Sequence, residues 1–375
     1  MSAEELAPHY SAFRVAERLL LTGHSHQAWP DVAKEGVVQA WEDAALHADE
    51  KWGRALEKAE RVRDGFRLWL DEPGAEIALD QNTFGLVLRF LSALDLRSRR
   101  RLVTTDGEFH TLRRLMARLG EEKTLDVVVV PARPAETLAE RLAAVTDERT
   151  VAVLVSAVLF EDSKIVPNLG QLASACEMRG AQLLVDVYHA LGAMPFPLAE
   201  QGLEAAWLVG GGYKYLQLGE GNCFLRLPPQ AEDLRPVFTG WFSEFAELAR
   251  EKVPGAVEYP RGGMRFAGAT YDPTSHYRAA RVLDFFAEQG LTPAALRENY
   301  LRQTTLLAST FGVSGRRSDF GGFLALEVAD AEEASRRLAG EGVMTDSRGR
   351  HLRLGPAPYL RDEQLEAAAT AVNRL

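Results

Sequence analysis

Two ionisable residues have neighbours that surface residues seldom have. Lys214 lies among glycines and aromatic residues in GGGYKYLQLGEG, and Asp186 ends the apolar run QLLVD. In an apolar pocket the pKa of a lysine falls, which gives the neutral amine that Schiff-base chemistry requires. A buried carboxylate needs a cationic partner, because burial without one costs several kcal/mol. For Lys214 alone, a solvated lysine beside a glycine turn is the alternative, and GGGYK lacks the spacing of a P-loop.

The two segments together resemble fold-type I enzymes that depend on pyridoxal phosphate (PLP). Within these they resemble the class V aminotransferase superfamily and, most closely, kynureninase. The similarity lies in DVYHALGAMPF, which begins at Asp186, and in GYKYLQLGEG around Lys214. It implies that Lys214 binds PLP covalently and that Asp186 pairs with the protonated pyridine nitrogen, which keeps the cofactor an electron sink.

The resemblance extends to other cofactor-binding positions over most of the chain. QNTFGLVLRF begins with capping residues, so backbone N–H groups near Asn82 and Thr83 could hold the phosphate, although a plain helix cap is the alternative. Phe109 would stack on the pyridine ring, unless it is simply a core phenylalanine. Further residues that would line or reach the cofactor are Ser156, His189, Tyr213, Trp241 and Thr270. Thr270 would cross to the neighbouring subunit, which implies a homodimer with shared active sites.

Substrate recognition is implied near the end of the chain. Arg353 in RLGPAPY resembles the kynureninase arginine that binds the α-carboxylate of an amino-acid substrate. A guanidinium suits this role because it can bind a carboxylate through two hydrogen bonds at a fixed angle. Arg348 and Arg350 are nearby and are expected to be solvated.

The TGHSHQAWP segment resembles the kynureninase turn that borders the substrate. Three of its residues would then face the distal end of the substrate: His24, Ser25 and His26. Two histidines separated by one residue could instead bind a metal ion. No matching carboxylate or cysteine set accompanies them, so we predict no metal site.

The implied reaction is a kynureninase-like hydrolysis that cleaves the Cβ–Cγ bond of a kynurenine-type substrate. Lys214 would remove the Cα proton, and water would attack the γ-carbonyl. Several family segments differ here, including the Gly-Asn-Ser-Leu-Gly turn, so a class V aminotransferase or lyase acting on another amino acid is the alternative. Cysteine desulfurases use a late nucleophilic cysteine, and none follows Cys223. A non-catalytic PLP-fold binding module is the least favoured interpretation.

Composition limits the partners. The 375 residues carry a formal net charge of -10, so the chain has no basic field for nucleic acid or anionic lipid. No apolar run approaches the ~18 residues that span a bilayer, and no signal peptide is recognisable. We therefore expect a cytoplasmic protein with a small-molecule amino-acid substrate.

The elements that must position these residues follow from apolar periodicity. Short β-branched runs alternate with helical stretches, which predicts an α/β fold with a mainly parallel, seven-stranded-type sheet and a smaller α+β C-terminal domain. Predicted strands are 76–79, 101–105, 126–131, 151–158, 182–187, 322–328 and 351–354. Predicted helices are 273–290, 331–340 and one from 362. Predicted units are an N-terminal segment (1–45) on the small domain and active site, a PLP-binding large domain (46–270), and a linking helix with the small domain (271–375).

Overall fold

The computed structural model describes residues 2–375, apart from the side chain of residue 247. Its strands are β1 (Leu19–Leu20), β2 (Glu76–Asp80), β3 (Arg101–Thr105), β4 (Asp126–Val130), β5 (Thr150–Ser156), β6 (Gln182–Asp186), β7 (Trp207–Gly211), β8 (Cys223–Leu227), β9 (Leu324–Glu327), β10 (Val343–Met344), β11 (Asp346–Arg348) and β12 (His351–Leu354).

The α-helices are α1 (Ala3–Leu6), α2 (Ala33–His47), α3 (Lys51–Leu70), α4 (Thr83–Ala93), α5 (His110–Glu121), α6 (Leu138–Val145), α7 (Leu169–Met178), α8 (Thr274–Glu288), α9 (Pro293–Thr310), α10 (Ala331–Gly340) and α11 (Asp362–Val372). Short 3-10 helices lie at Ala7–Phe13, Ala48–Glu50, Ala135–Thr137, Pro229–Asp233, Trp241–Glu247, Gly262–Phe266 and Arg317–Asp319. No helix in residues 2–375 combines the length and the apolar character that crossing a membrane requires.

Seven strands form the large sheet, in the order β2-β8-β7-β6-β5-β3-β4. The five strands β3 to β7 are parallel to one another, and β8 is antiparallel to both of its neighbours. Parallel strands need helical crossovers, which explains why helices alternate with strands along this part of the chain. The carboxyl ends of β5, β6 and β7 therefore meet at one edge of the sheet.

Helices cover both faces of this sheet, so successive residues of a central strand enter two different cores. In β6, Leu183 and Val185 belong to one core, whereas Leu184 belongs to the other. The first core is filled from α3, α6, α7 and α8, and the second from α4 and α5. All seven residues of β5 are buried. Burial on both faces explains why the strand sequences are continuously apolar rather than alternating.

A smaller C-terminal part contains a second sheet, in which β12 lies between β11 and β9 in antiparallel pairing. The short strand β1 pairs in parallel with β10, so the N-terminal segment joins this part of the fold. The predicted fold class, a large mainly parallel sheet with a smaller C-terminal part, is confirmed. The domain boundaries at 45 and 270 stay predictions.

Candidate active site

The carboxyl ends of the central strands bring the main candidates together. Asp186 is the last residue of β6 and pairs in register with Ser156, the last residue of β5. Lys214 follows β7, which is the next strand in the sheet. Open α/β sheets bind ligands at this edge, because loops and free backbone groups from several strands converge there.

The Lys214 amine is enclosed by rings. Its residue is only 5% exposed, and Nζ lies 2.6 Å from His189 Nε2. Nζ is also 5.3 Å from the ring centre of Phe109, 5.2 Å from that of Tyr188 and 5.7 Å from that of Tyr213. Burial lowers the pKa of Lys214 to about 7, against the opposing charge of Asp186. The solvated-lysine alternative does not describe this residue.

His189 is a neutral partner of this amine. Burial, and then the charge of Lys214, hold the pKa of His189 well below its ordinary value. A second cation beside Lys214 would be repelled in such surroundings. The Lys214 amine and the neutral imidazole can therefore share a hydrogen bond, and His189 adds no second positive charge.

Asp186 has no cationic side chain at ion-pair distance within the described residues. Its Oδ1 accepts a hydrogen bond of 2.8 Å from the backbone N–H of Tyr188. Burial raises the pKa of the Asp186 carboxyl, while this N–H and the more distant Lys214 lower it. A cation supplied by a ligand could therefore pair with this buried carboxyl group and would favour its charged form.

Tyr188 was not among the predicted site residues, although it forms one side of the lysine pocket. Its hydroxyl lies 3.6 Å from Cys223 Sγ. A Cβ at Gly211 would come within 2.4 Å of that hydroxyl, so the glycine at the end of β7 is required by the packing of Tyr188. The signal in the sequence was GGG before Tyr213, from which we drew no inference about Tyr188.

Glu108 is a second residue that the sequence did not indicate. It is fully buried, and its two carboxyl oxygens accept hydrogen bonds of 2.6 Å from the hydroxyls of Thr105 and Ser156. Burial raises the pKa of Glu108 to about 7, partly offset by these donors and reinforced by the charge of Asp186. The Ser156 hydroxyl is thus used inside the protein, with Glu108 as its partner.

The proposed phosphate turn is an N-terminal helix cap. Asn82 caps α4, because its Oδ1 accepts a 3.0 Å hydrogen bond from the Gly85 N–H. Thr83 lines a small cavity, which Phe109 and Asp186 also line. Thr83, at the start of α4, and Asp186 therefore border the same cavity.

Trp241 and Thr270 lie together, but apart from this pocket. The Trp241 indole N–H donates a 2.9 Å hydrogen bond to Thr270 Oγ1, and both residues are exposed. Thr270 lines a surface cavity together with Trp52 and Tyr277. Within one chain, the described contacts of Lys214 include neither residue.

Arg353 is held by the protein itself. It is 2% exposed, and Asp346 accepts from both Nε (2.7 Å) and Nη2 (2.5 Å), while the Phe160 carbonyl accepts from Nη1. Although burial raises it, hydrogen bonds from His24 and Arg353 hold the pKa of Asp346 well below its ordinary value. Arg348 is half-buried, with Nη2 at 3.9 Å from Asp346 Oδ2, so it is not the solvated residue that we expected.

The GHSH turn contacts two parts of the site. His24 is fully buried, with Nε2 at 2.8 Å from Asp346 Oδ1, and burial lowers its pKa to about 4. It therefore lies behind the Asp346 carboxylate, not at an open substrate end. His26 stacks on Tyr213 at 5.4 Å, and the Ser25 hydroxyl donates to the Thr22 carbonyl. The two histidines thus have different partners.

Several solved structures share this fold, and one of them is described with a PLP cofactor. A variant of C-DES, a cystine C-S lyase, with glycine covalently linked to its PLP cofactor, matches with a TM-score of 0.85 at 15% identity over 97% of this chain and 98% of its own. A cysteine desulfurase of Escherichia coli matches with a TM-score of 0.81 at 15% identity over 100% and 98%. The chain has the fold-type I architecture of these proteins.

Sequence comparison gives one further relative. An uncharacterised aminotransferase of Bacillus subtilis, YcbU, is 24% identical over 339 residues, which cover 88% of each chain. No protein-family model matches. The solved structures show the fold, and none of the three proteins named above is described as a kynureninase.

Proposed function

We propose that this chain is a PLP-dependent enzyme of the class V superfamily that acts on a small amino acid as a lyase or aminotransferase. One observation carries the proposal: the buried Lys214 amine lies 5.3 Å from the ring centre of Phe109, and Phe109 borders the same cavity as Asp186, a carboxylate without a cationic partner in the described residues. PLP fits this pair, because it combines an aldehyde for the amine with a ring nitrogen for the carboxylate.

The surrounding residues suit the rest of the cofactor. Phe109 would lie against the pyridine ring, and the N–H groups at Asn82 and Thr83 would bind the phosphate. Further residues that would surround the cofactor are Ser156, His189 and Tyr213. When bound, PLP supplies an electron-withdrawing ring that weakens the bonds at the substrate Cα.

Proton transfer is the contribution of the chain itself. With a pKa of about 7, the Lys214 amine can both accept and return a proton near neutral pH. His189 Nε2, 2.6 Å away, orients this amine. Asp186 would pair with a positive charge on the ring nitrogen, and Arg353 would bind the substrate carboxylate.

The relatives favour lyase or aminotransferase chemistry. C-DES is described as a cystine C-S lyase and YcbU as an aminotransferase. Cys223 does not suit a desulfurase nucleophile, because burial raises the pKa of its thiol to about 12. Kynureninase-like hydrolysis remains a second candidate, since the segments that resemble kynureninase are those that form the Lys214–His189 contact.

A homodimer with shared active sites belongs to the proposal. Trp241 and Thr270 are exposed residues that lie apart from the Lys214 pocket of the same chain, and their polar atoms contact each other. In a dimer these side chains would approach the phosphate of the neighbouring subunit.

Reduction with borohydride tests the cofactor assignment. Protein purified with PLP should be yellow, and reduction should bleach it and leave one pyridoxyl group on the Lys214 peptide in mass spectrometry. Lys164, which pairs with Glu136 at the surface, is the internal control and should stay unmodified. Colourless protein, or label spread over several lysines, would refute the proposal.

Product analysis then separates the reactions. An amino-acid panel should release ammonia and a keto acid if the enzyme is a lyase. Formation of pyridoxamine phosphate with an amino donor would identify an aminotransferase. Anthranilate from kynurenine, or 3-hydroxyanthranilate from 3-hydroxykynurenine, would identify the hydrolase.

A further inference from the structure

The Arg353 guanidinium still has two N–H donors for a ligand. An arginine has five such donors in one plane. Asp346 accepts from two of them and the Phe160 carbonyl from a third. The remaining two lie on Nη1 and Nη2, where they can bind one carboxylate.

Asp346 controls where these two donors point. It lies directly opposite Arg353 in the antiparallel pair β11–β12, so the two backbones set the side-chain separation. A bidentate carboxylate fixes the plane of the guanidinium as well as its distance. Without it, the long arginine side chain would be held only by the carbonyl of Phe160.

His24 in turn fixes Asp346 from the N-terminal segment. A carboxylate oxygen accepts, so the neutral imidazole of His24 carries its proton on Nε2 and donates it to Asp346 Oδ1 over 2.8 Å. The ring lies 4.5 Å from that of Phe323, and a Cβ at Gly355 would come within 2.1 Å of Nδ1. Phe323 and Gly355 therefore restrict the orientation of the His24 ring, and the ring in turn restricts the position of the Asp346 carboxylate.

The charge of this group of residues suits a single anion. Arg353 and Arg348 are cations, Asp346 is the one anion between them, and His24 is neutral. One positive charge is thus left without a partner in the group. A ligand with one carboxylate at this point would neutralise it, whereas an amide or a plain amine would not.

We propose that Asp346 is a positioning residue, which aims the two remaining N–H groups of Arg353 at one substrate carboxylate and so makes the site selective for amino acids over their amides. This inference rests on the proposed function. Asp346 does not touch the substrate, and His24 supports it.

The test uses holoprotein and two probes of similar size, L-alanine with its carboxylate and L-alaninamide with a neutral carboxamide in the same place. The change in the cofactor absorption band gives a Kd for each. Wild-type protein should prefer alanine. In Asp346→Asn the side-chain amide cannot accept both hydrogen bonds from Arg353, so the preference should fall by about tenfold or more, while the Kd for alaninamide stays within about twofold.

Two further variants make the result decisive. His24→Gln should lower the preference in the same direction but less, and it answers the question if Asp346→Asn does not fold. Glu327→Gln removes an exposed ion pair with Arg350 on the same small sheet and should change neither Kd. An unchanged preference in Asp346→Asn and His24→Gln, or equal loss of both probes, would overturn the positioning role. Wild-type holoprotein that responds to neither probe would contradict the amino-acid function itself.

Discussion

The pocket around Lys214 and the arginine group, which consists of Arg353 with Asp346, His24 and Arg348, both contain buried charged residues. They differ in whether the buried cation has a charged partner. Around Lys214 the neighbours are rings and a neutral imidazole, and burial moves the pKa of the amine to about 7. Around Arg353 the Asp346 carboxylate and the Phe160 carbonyl accept hydrogen bonds from the guanidinium, and His24 contacts the same carboxylate. Burial without a partner yields a group that can change its protonation state, whereas burial with a partner yields a fixed charge.

This difference matches a division of labour. A group that transfers protons must have a pKa near the working pH, which incomplete pairing provides. A group that orients a substrate must keep its charge and its direction, which pairing provides. The two regions are connected through the GHSH turn, because His26 contacts Tyr213 while His24 contacts Asp346.

Lys214→Ala should give the largest effect. It removes the one amine in the pocket, so we expect loss of the covalent cofactor band and a fall in kcat on the order of a thousandfold or more. Absorbance and single-turnover rates measure this. The matched control, Lys164→Ala, removes a surface lysine that pairs with Glu136 and should keep both. A band that persists in Lys214→Ala would mean that the pocket does not hold the cofactor as we propose.

Asp346→Ala should be the most destabilising change in the arginine group. It leaves the guanidinium of Arg353 buried with only the Phe160 carbonyl, so the free energy of unfolding should fall by roughly 3–5 kcal/mol. Urea denaturation of cofactor-free protein measures the loss. A loss below about 1 kcal/mol would show that the Arg353 guanidinium does not depend on its carboxylate partner, and the contrast with the Lys214 pocket would fail.

The sequence predicted those parts of the fold whose cause is local. β3 occupies 101–105 as predicted, because a short run of β-branched and apolar residues has few other conformations when buried. β8 was not predicted, since Arg226 lies inside it. That arginine is paired with Glu72, 154 residues away, and no local pattern reveals such a partner. β7 was missed as a strand because it ends in glycines, which weaken strand propensity.

The same distinction holds for the site. Lys214 and Asp186 were recognisable because their immediate neighbours are unusual for charged residues. The contact between His24 and Asp346 joins positions 322 residues apart, and β10 and β11 are too short to show a period. Glu108 also depends on a distant partner, since Ser156 lies 48 residues further along the chain.

Glu108→Gln tests how the buried Glu108 carboxyl, near Asp186, makes the free energy of unfolding depend on pH. The pKa of Glu108 is raised from 4.5 to about 7, so between these values the folded protein keeps a proton that the unfolded chain releases. The unfolding free energy of the wild type therefore falls as pH rises through this window, by up to about 3 kcal/mol. Glutamine does not titrate, so its stability relative to the wild type should increase with pH. Urea curves across the window measure this, and parallel pH profiles would contradict it.

Glu327→Gln should give the smallest effect and completes the comparison with an ion pair that is not buried. Glu327 and Arg350 are 3.4 Å apart on the small sheet, with 61% and 72% of their side chains exposed. Water already solvates both charges, so removing one leaves no buried charge without a partner. The unfolding free energy should therefore change by less than about 1 kcal/mol. The same urea series that includes Asp346→Ala measures it. If both variants lost equal stability, the loss would come from the sheet and its packing, and burial of charge would not be what distinguishes the arginine group.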